Sequence, residues 1–305
     1  MESPTTLLLI RPSHIRSNEE TALNNYYQQS HLQHQDFETL AHQEFNNLVD
    51  QLNVIGVNTL VYEINDDLNT PDAHFPNNWI SFHENGIVAL YPMFASNRRL
   101  ERRKSVLTFI KQQGYSNRKI IDYSDYELKE VFLEGTGSLV LDRPNKIAYC
   151  ALSARSHLLL FEQFCQDFNY TPVAFTANQT VGNRRKPIYH TNVMMCIADA
   201  YAVICLDSID DERERKHIIN CLITTQKEVI ELTEEQLTHF AGNLFEVKGR
   251  NHNSYLVMSS SAYHCLTEKQ LKQIEIHSII IHTPIPTIEK LGGGSVRCMM
   301  AEIVH

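Results

Sequence analysis

The chain has 305 residues, 43% of them hydrophobic, which is enough for a full-sized core in one large domain or two ordinary ones. Its 27 basic against 36 acidic residues give a formal charge of -9, which counts against a nucleic-acid groove or an anionic membrane partner. The seven cysteines (Cys150, Cys165, Cys196, Cys205, Cys221, Cys265 and Cys298) are odd in number and contain no CxxC pair, so a disulfide or zinc framework is not expected and a reducing cytoplasm fits.

Thr5 to Pro12 reads as a buried first strand, too short for the apolar region of a signal sequence or for a membrane span. From Arg16 to Glu44, Asn, Gln, His and Glu outnumber aliphatics, so a solvent-facing loop is expected to lead into a helix from about Asp36 to Leu52. The composition from Arg16 to His34 suits a mobile loop and leaves a lid open as its role. Val54 to Tyr62 is β-branched and reads as a strand.

A strand pair, helix, strand order then recurs. Trp79 to Phe82 and Ile87 to Tyr91 flank Glu84-Asn85-Gly86, followed by a helix from Arg98 to Gln113 and a strand at Lys119 to Asp122. Gly137 to Asp142 and Lys146 to Cys150 precede a helix from Ser156 to Phe168 and a strand at Thr171 to Thr176. Val193 to Ile197 and Ala200 to Leu206 precede a helix near Asp211 to Ile223 and a strand at Glu228 to Leu232. Leu244 to Lys248 and Tyr255 to Met258 precede a helix near Glu268 to Gln273 and a strand at Ile276 to His282. A fifth unit starts at Gly292 and must take its helix and last strand from the amino-terminal stretch.

Chemistry-bearing residues follow the same rhythm. Equal intervals of 56 residues separate Asn78 from Glu134, Glu134 from His190 and Gly242 from Cys298, with a slightly shorter one from His190 to Gly242. Such a period with ββαβ content implies a ring of small sheets whose first strands line a shared axis, which makes the repeat starts one site. Cys298, in a strand-like segment just past Gly292-Gly293-Gly294, is the candidate nucleophile, with His190 and Glu134 as its partners for covalent work at a carbon–nitrogen centre. A free thiol titrates near 8.5, so only about a few per cent is nucleophilic at neutral pH without help. Arg297 either gives that help or points outward.

Simpler readings suit other features. A cysteine in an apolar run is usually a small buried hydrophobe, and the remaining six are read so. His31, His34 and His42 lack metal-ligand spacing, so neither metal nor cofactor is expected. Gly135-x-Gly137 lacks the third glycine of a dinucleotide fingerprint, and the Gly292 turn lacks a P-loop lysine. His83 stands at most behind the site, and Arg102-Arg103-Lys104 reads as a solvated helix face.

Pro71-Asp72-Ala73-His74-Phe75-Pro76-Asn77-Asn78-Trp79, Arg98-Arg99-Leu100-Glu101, Glu134-Gly135-Thr136-Gly137, His190-Thr191-Asn192 and Gly292 to Met300 together resemble the guanidino-group modifying (pentein) superfamily. The resemblance implies a five-bladed α/β propeller of ββαβ repeats, one catalytic domain over residues 1–305 closed by the two chain ends. With Asn18 to Asn25 and Tyr189 to Met195, the chain is most similar to the citrulline-utilization hydrolase (citrulline ureidase) branch of the amidinotransferase relatives.

Arginine-processing members commonly carry aspartates where this chain has Asn78 and Asn192. A guanidinium offers only donors and positive charge, whereas a ureido group is neutral and has a carbonyl oxygen, which an asparagine can meet as both donor and acceptor. The expected activity is therefore hydrolysis of citrulline, or a close ureido amino acid, to ornithine, ammonia and carbon dioxide through a covalent Cys298 intermediate. Asn78 and Asn192 would place the substrate, and Arg98 or Arg99 would bind its carboxylate. Asp72 either touches substrate or caps a turn. A deiminase or amidinotransferase acting on a guanidino compound and a catalytically idle binding ring are the alternatives, and a homodimer stays open.

Overall fold

The computed structural model describes residues 4–29 and 36–304, so His31 and His34 lie outside the described residues. Five three-stranded sheets share one topology in a mixed α/β fold. In each, a short first strand runs antiparallel to a buried middle strand, and a helical connection returns the chain to a third strand parallel to the middle one. The sheets are Ile80–His83 with Ile87–Leu90 and Lys119–Asp122, then Val140–Asp142 with Ile147–Ala151 and Thr171–Phe175. Met195–Ile197 with Tyr201–Ile204 and Glu228–Glu231, and Phe245–Lys248 with Ser254–Ser259 and Ile279–Thr283, follow.

The fifth sheet joins distant parts of the chain. Ala301–Ile303 pairs antiparallel with Thr6–Ile10 in the register Thr6 to Ile303 and Leu8 to Ala301, and Asn58–Tyr62 lies parallel on the other side. All five residues of Thr6–Ile10 are buried, as expected for an uninterrupted apolar strand covered on both faces. The helix Phe37–Val54 covers this sheet because Ala41, Phe45, Leu48 and Leu52 recur at helical spacing and all are buried. Asp36 caps it by accepting the Thr39 N–H at 3.1 Å.

Several boundaries depart from the sequence reading. The segment expected as one helix from Arg98 breaks into a 3-10 turn, Asn97–Glu101, and an α-helix, Lys104–Gln112. The tighter turn sets Arg98 against Glu101 in the interior, an arrangement a solvated helix would not need. The helix Phe37–Val54 runs through the start of the strand expected at Val54, which begins at Asn58 instead. A two-stranded hairpin, Asn178–Val181 with Arg184–Pro187, was not expected because its strands show no apolar alternation.

The polar stretch after Arg16 is not a solvent-facing loop throughout. Asn18, Thr21 and Asn25 are buried, their side chains bonded to groups far along the chain. Among the described residues no helix is long and apolar enough to cross a membrane.

Candidate active site

Each first strand is preceded by a tight turn, and the turns supply the site. Asn78 ends the 3-10 turn before Ile80, Glu134 precedes the turn Gly135–Ser138 before Val140, and His190 and Asn192 flank the turn start before Met195. Cys298 lies in the turn before Ala301, held by a Cys298 N–H to Ser295 carbonyl bond of 2.9 Å, rather than within a strand. A helix, Pro286–Gly292, precedes it where the sequence suggested none.

Glu134 and His190 form a buried pair, with His190 Nε2 2.7 Å from Glu134 Oε2. Glu134 Oε1 accepts the Phe94 backbone N–H at 2.9 Å, and Arg155 Nη1 lies 3.5 Å from Oε2. Burial pushes this carboxyl up, but Arg155 and the His190 hydrogen bond outweigh it and hold it at about 2. Burial carries His190 the other way, down to about 4, with Glu134 only partly opposing it. The resting imidazole is therefore neutral. Since an ionised Glu134 can only accept, Nε2 carries the ring hydrogen and Nδ1 keeps its lone pair. Nδ1 sits against Gly137, where a Cβ would come within 2.8 Å of it and 2.4 Å of Asn78 Nδ2. Only glycine leaves those two groups in place.

These shifts set how the fold responds to acid. The unfolded chain takes protons on histidine near 6.5 and on glutamate near 4.5, well before His190 and Glu134 do so in the fold, so acid favours unfolding. Glu101 and Glu289, pushed up to about 7 by burial, oppose this as pH falls towards 4.5 and contribute nothing further below it. The thermal midpoint should therefore drop steeply below pH 4.5. A midpoint level between about pH 5 and pH 3 would contradict the buried pair.

Cys298 is 2% exposed, and two side-chain amides approach its sulfur: Asn192 Nδ2 at 3.5 Å and Asn243 Nδ2 at 3.3 Å. Asn192 Oδ1 is buried without a partner. Asn78 is more engaged, since its Oδ1 accepts Arg98 Nη1 at 2.8 Å and its Nδ2 donates to Asn77 Oδ1 at 3.0 Å.

Of the two arginines proposed for a carboxylate, only Arg98 reaches the site. Its fork is bidentate to Glu101, at 2.9 and 3.0 Å, and Asp72 Oδ2 lies 3.9 Å from Nε. Arg99 turns away, its Nε bonded to the Met93 carbonyl at 3.0 Å and its charge facing Glu127. The cation beside the site that sequence reasoning missed is Arg155, buried over the Tyr189 ring and bonded to Asn24 and the Thr21 carbonyl. No motif marks it.

Asp72 is buried, with Oδ2 bonded to Asn18 Nδ2 at 2.7 Å and Oδ1 unpartnered. Burial pushes its carboxyl up despite Arg98. Asp72, Asn78, Arg98, Arg155, Tyr189, His190 and Cys298 share one cavity, closed by Thr21 and Asn25 on one side and by Phe75 and Gly292 to Gly294 on another. It measures about 10 Å³, close to the smallest space that holds one water. An amino acid can enter only if one of these walls moves. The larger groove of about 620 Å³, lined by His83 and Arg118 among others, contains none of these groups. His83 is bonded to Ser81 and stacked on Phe168 there, so it does not support the site. Arg297 lies over the Phe245 ring and lines a different pocket. Among the described residues no cluster of three or more metal-ligating side chains occurs.

No curated protein is significantly similar in sequence. The apo structure of ArgZ, an arginine dihydrolase from the ornithine-ammonia cycle in cyanobacteria, superposes with a TM-score of 0.76 at 16% identity over 99% of this chain and 41% of that one. This chain thus spans about two fifths of that protein. The ArgZ N-terminal domain bound to substrate gives 0.73 at 15% identity, over 99% and 98% of the two chains. A dimethylarginine dimethylaminohydrolase adduct with S-methyl-L-thiocitrulline gives 0.65 at 13%, over 99% and 100%. The family model described as N,N dimethylarginine dimethylhydrolase, eukaryotic, matches residues 11–305, nearly the whole chain. The chain therefore belongs to that family, within the guanidino-group modifying (pentein) superfamily.

Proposed function

We propose that residues 1–305 form one catalytic domain, a five-bladed α/β propeller built on the five sheets, that hydrolyses the ureido C–N bond of citrulline. The observation that carries the substrate choice is the pair of neutral amides, Asn78 and Asn192, beside Cys298 and His190, where carboxylates would match a bound guanidinium better. A neutral ureido group leaves no unpaired charge against them.

His190 Nδ1 accepts the Cys298 thiol proton, and the sulfur attacks the ureido carbon. The imidazolium, steadied by Glu134, returns that proton to the departing δ-nitrogen, so ornithine leaves and a carbamoyl group stays on sulfur. Neutral again, His190 takes a proton from water as it attacks that carbon. The S–C bond breaks, the thiol is regenerated, and the carbamate released falls apart to ammonia and carbon dioxide. Arg98 and Arg155 would face the substrate carboxylate, and Asp72 Oδ1 its ammonium group.

One observation favours a second reading, hydrolysis of a guanidino compound such as arginine. Asp72 Oδ1 is a buried carboxylate oxygen with no partner, and it suits a cationic group. The deciding assay supplies citrulline, arginine, agmatine and dimethylarginine in parallel, with Cys298→Ser as blank. Ornithine and ammonia from citrulline alone support the first reading, and citrulline formed from arginine overturns it.

Asn78→Asp should shift preference from citrulline towards arginine by about ten- to a hundredfold in the ratio of kcat/KM, because one charge-assisted bond is worth about 1.5–3 kcal/mol. The variant should fold. Asn77 Nδ2 is buried without a partner, and turning that amide over would set it against the new carboxylate. An unchanged ratio would remove Asn78 from substrate recognition.

A further inference from the structure

Asn243 precedes the strand Phe245–Lys248 and is 1% exposed. The residue before it explains its position: a Cβ at Gly242 would lie 2.3 Å from the Val193 carbonyl oxygen, so only glycine lets this turn press against the one that carries Asn192. Every hydrogen-bonding function of the Asn243 amide is engaged. Oδ1 accepts the Arg297 backbone N–H at 3.0 Å, one Nδ2 hydrogen goes to the Asn192 carbonyl at 3.0 Å, and the other faces Cys298 Sγ at 3.3 Å.

The two backbone partners decide which end of the amide is which. Turned over, it would set oxygen against the Asn192 carbonyl and NH2 against the Arg297 N–H. Sulfur therefore always meets a donor from this side. Asn192 differs, because its Oδ1 has no partner to fix which end of the amide faces the sulfur. A thiolate accepts hydrogen bonds far better than a thiol does, so a fixed donor favours the anion.

We propose that Asn243 is a positioning residue whose locked amide N–H holds Cys298 Sγ and stabilises its thiolate. The proposal rests on Cys298 being the nucleophile. A neutral donor does this without adding a cation to a site that already buries Arg98 and Arg155.

Iodoacetamide alkylation of Cys298, followed at that residue by peptide mass spectrometry across a pH series, reads the thiolate without any turnover. Asn243→Asp keeps the volume and the acceptor for the Arg297 N–H but sets an oxygen against sulfur, and Asn243→Ala removes the amide. Both should raise the midpoint of the alkylation profile by about one pH unit and slow alkylation at neutral pH about tenfold. An unmoved midpoint in a folded Asn243→Asp variant overturns the proposal. Should neither variant fold, the wild-type profile decides: a midpoint at or above that of a free thiol, about 8.5, overturns it, and a lower one supports it. Failure of the wild type to hydrolyse citrulline would sink the functional reading and leave this profile unaffected.

Discussion

Turnover of citrulline is expected to fall by about ten-thousandfold or more in Cys298→Ser and in His190→Ala, with both variants folded. Serine keeps the volume and can still accept from Asn192 and Asn243, but its hydroxyl is far less acidic than a thiol and far less nucleophilic than a thiolate. Alanine at 190 removes the group that moves the proton in both half-reactions. It does not strand Glu134, which keeps the Phe94 N–H and Arg155. Single-turnover assays with circular dichroism as control check this, and wild-type-like rates in either folded variant would remove the mechanism.

Arg98→Ala is expected to lower the stability of the fold by about 3–5 kcal/mol, measured by denaturant unfolding. The side chain is 2% exposed and engages Glu101 through two bonds, with Asp72 beside it. Its loss leaves Glu101 without the fork that neutralises it and Asp72 with only Arg155 as a neighbouring cation. Replacing the ion pair as a unit, Arg98→Met with Glu101→Leu, should recover part of the loss, because apolar groups of similar volume need no partner. A loss below about 1 kcal/mol in Arg98→Ala would mean that water reaches the cluster.

The periodic part of the site was legible in the sequence. Asn78, Glu134, His190 and Cys298 recur because each occupies the same place, the turn before the first strand of a sheet. The fourth position fell on Gly242, which permits the close approach, while the amide that faces Cys298 sits one residue on at Asn243. Arg98 and Arg99 could not be told apart, since a continuous helix was expected where a 3-10 turn directs only Arg98 inward. Asn18, Thr21 and Asn25 looked like surface residues because their composition is polar. Their partners, Asp72 and the Gly292 and Gly293 carbonyls, lie too far along the chain for any local pattern to register. Arg155 has the same cause, with Glu134 and the Thr21 carbonyl as its distant partners.

The sheet that joins Thr6–Ile10 to Ala301–Ile303 also orders events on the ribosome. Strand Asn58–Tyr62 is available early, so one edge of Thr6–Ile10 can pair while most of the chain is unmade. The other edge must wait for residues 301–303, and until then Thr6 to Leu8 present an unpaired border that invites misassociation. The turn bearing Cys298 emerges in the same late interval. Nascent chains should therefore be both chemically silent and open to misassociation until a single closing step ends both conditions.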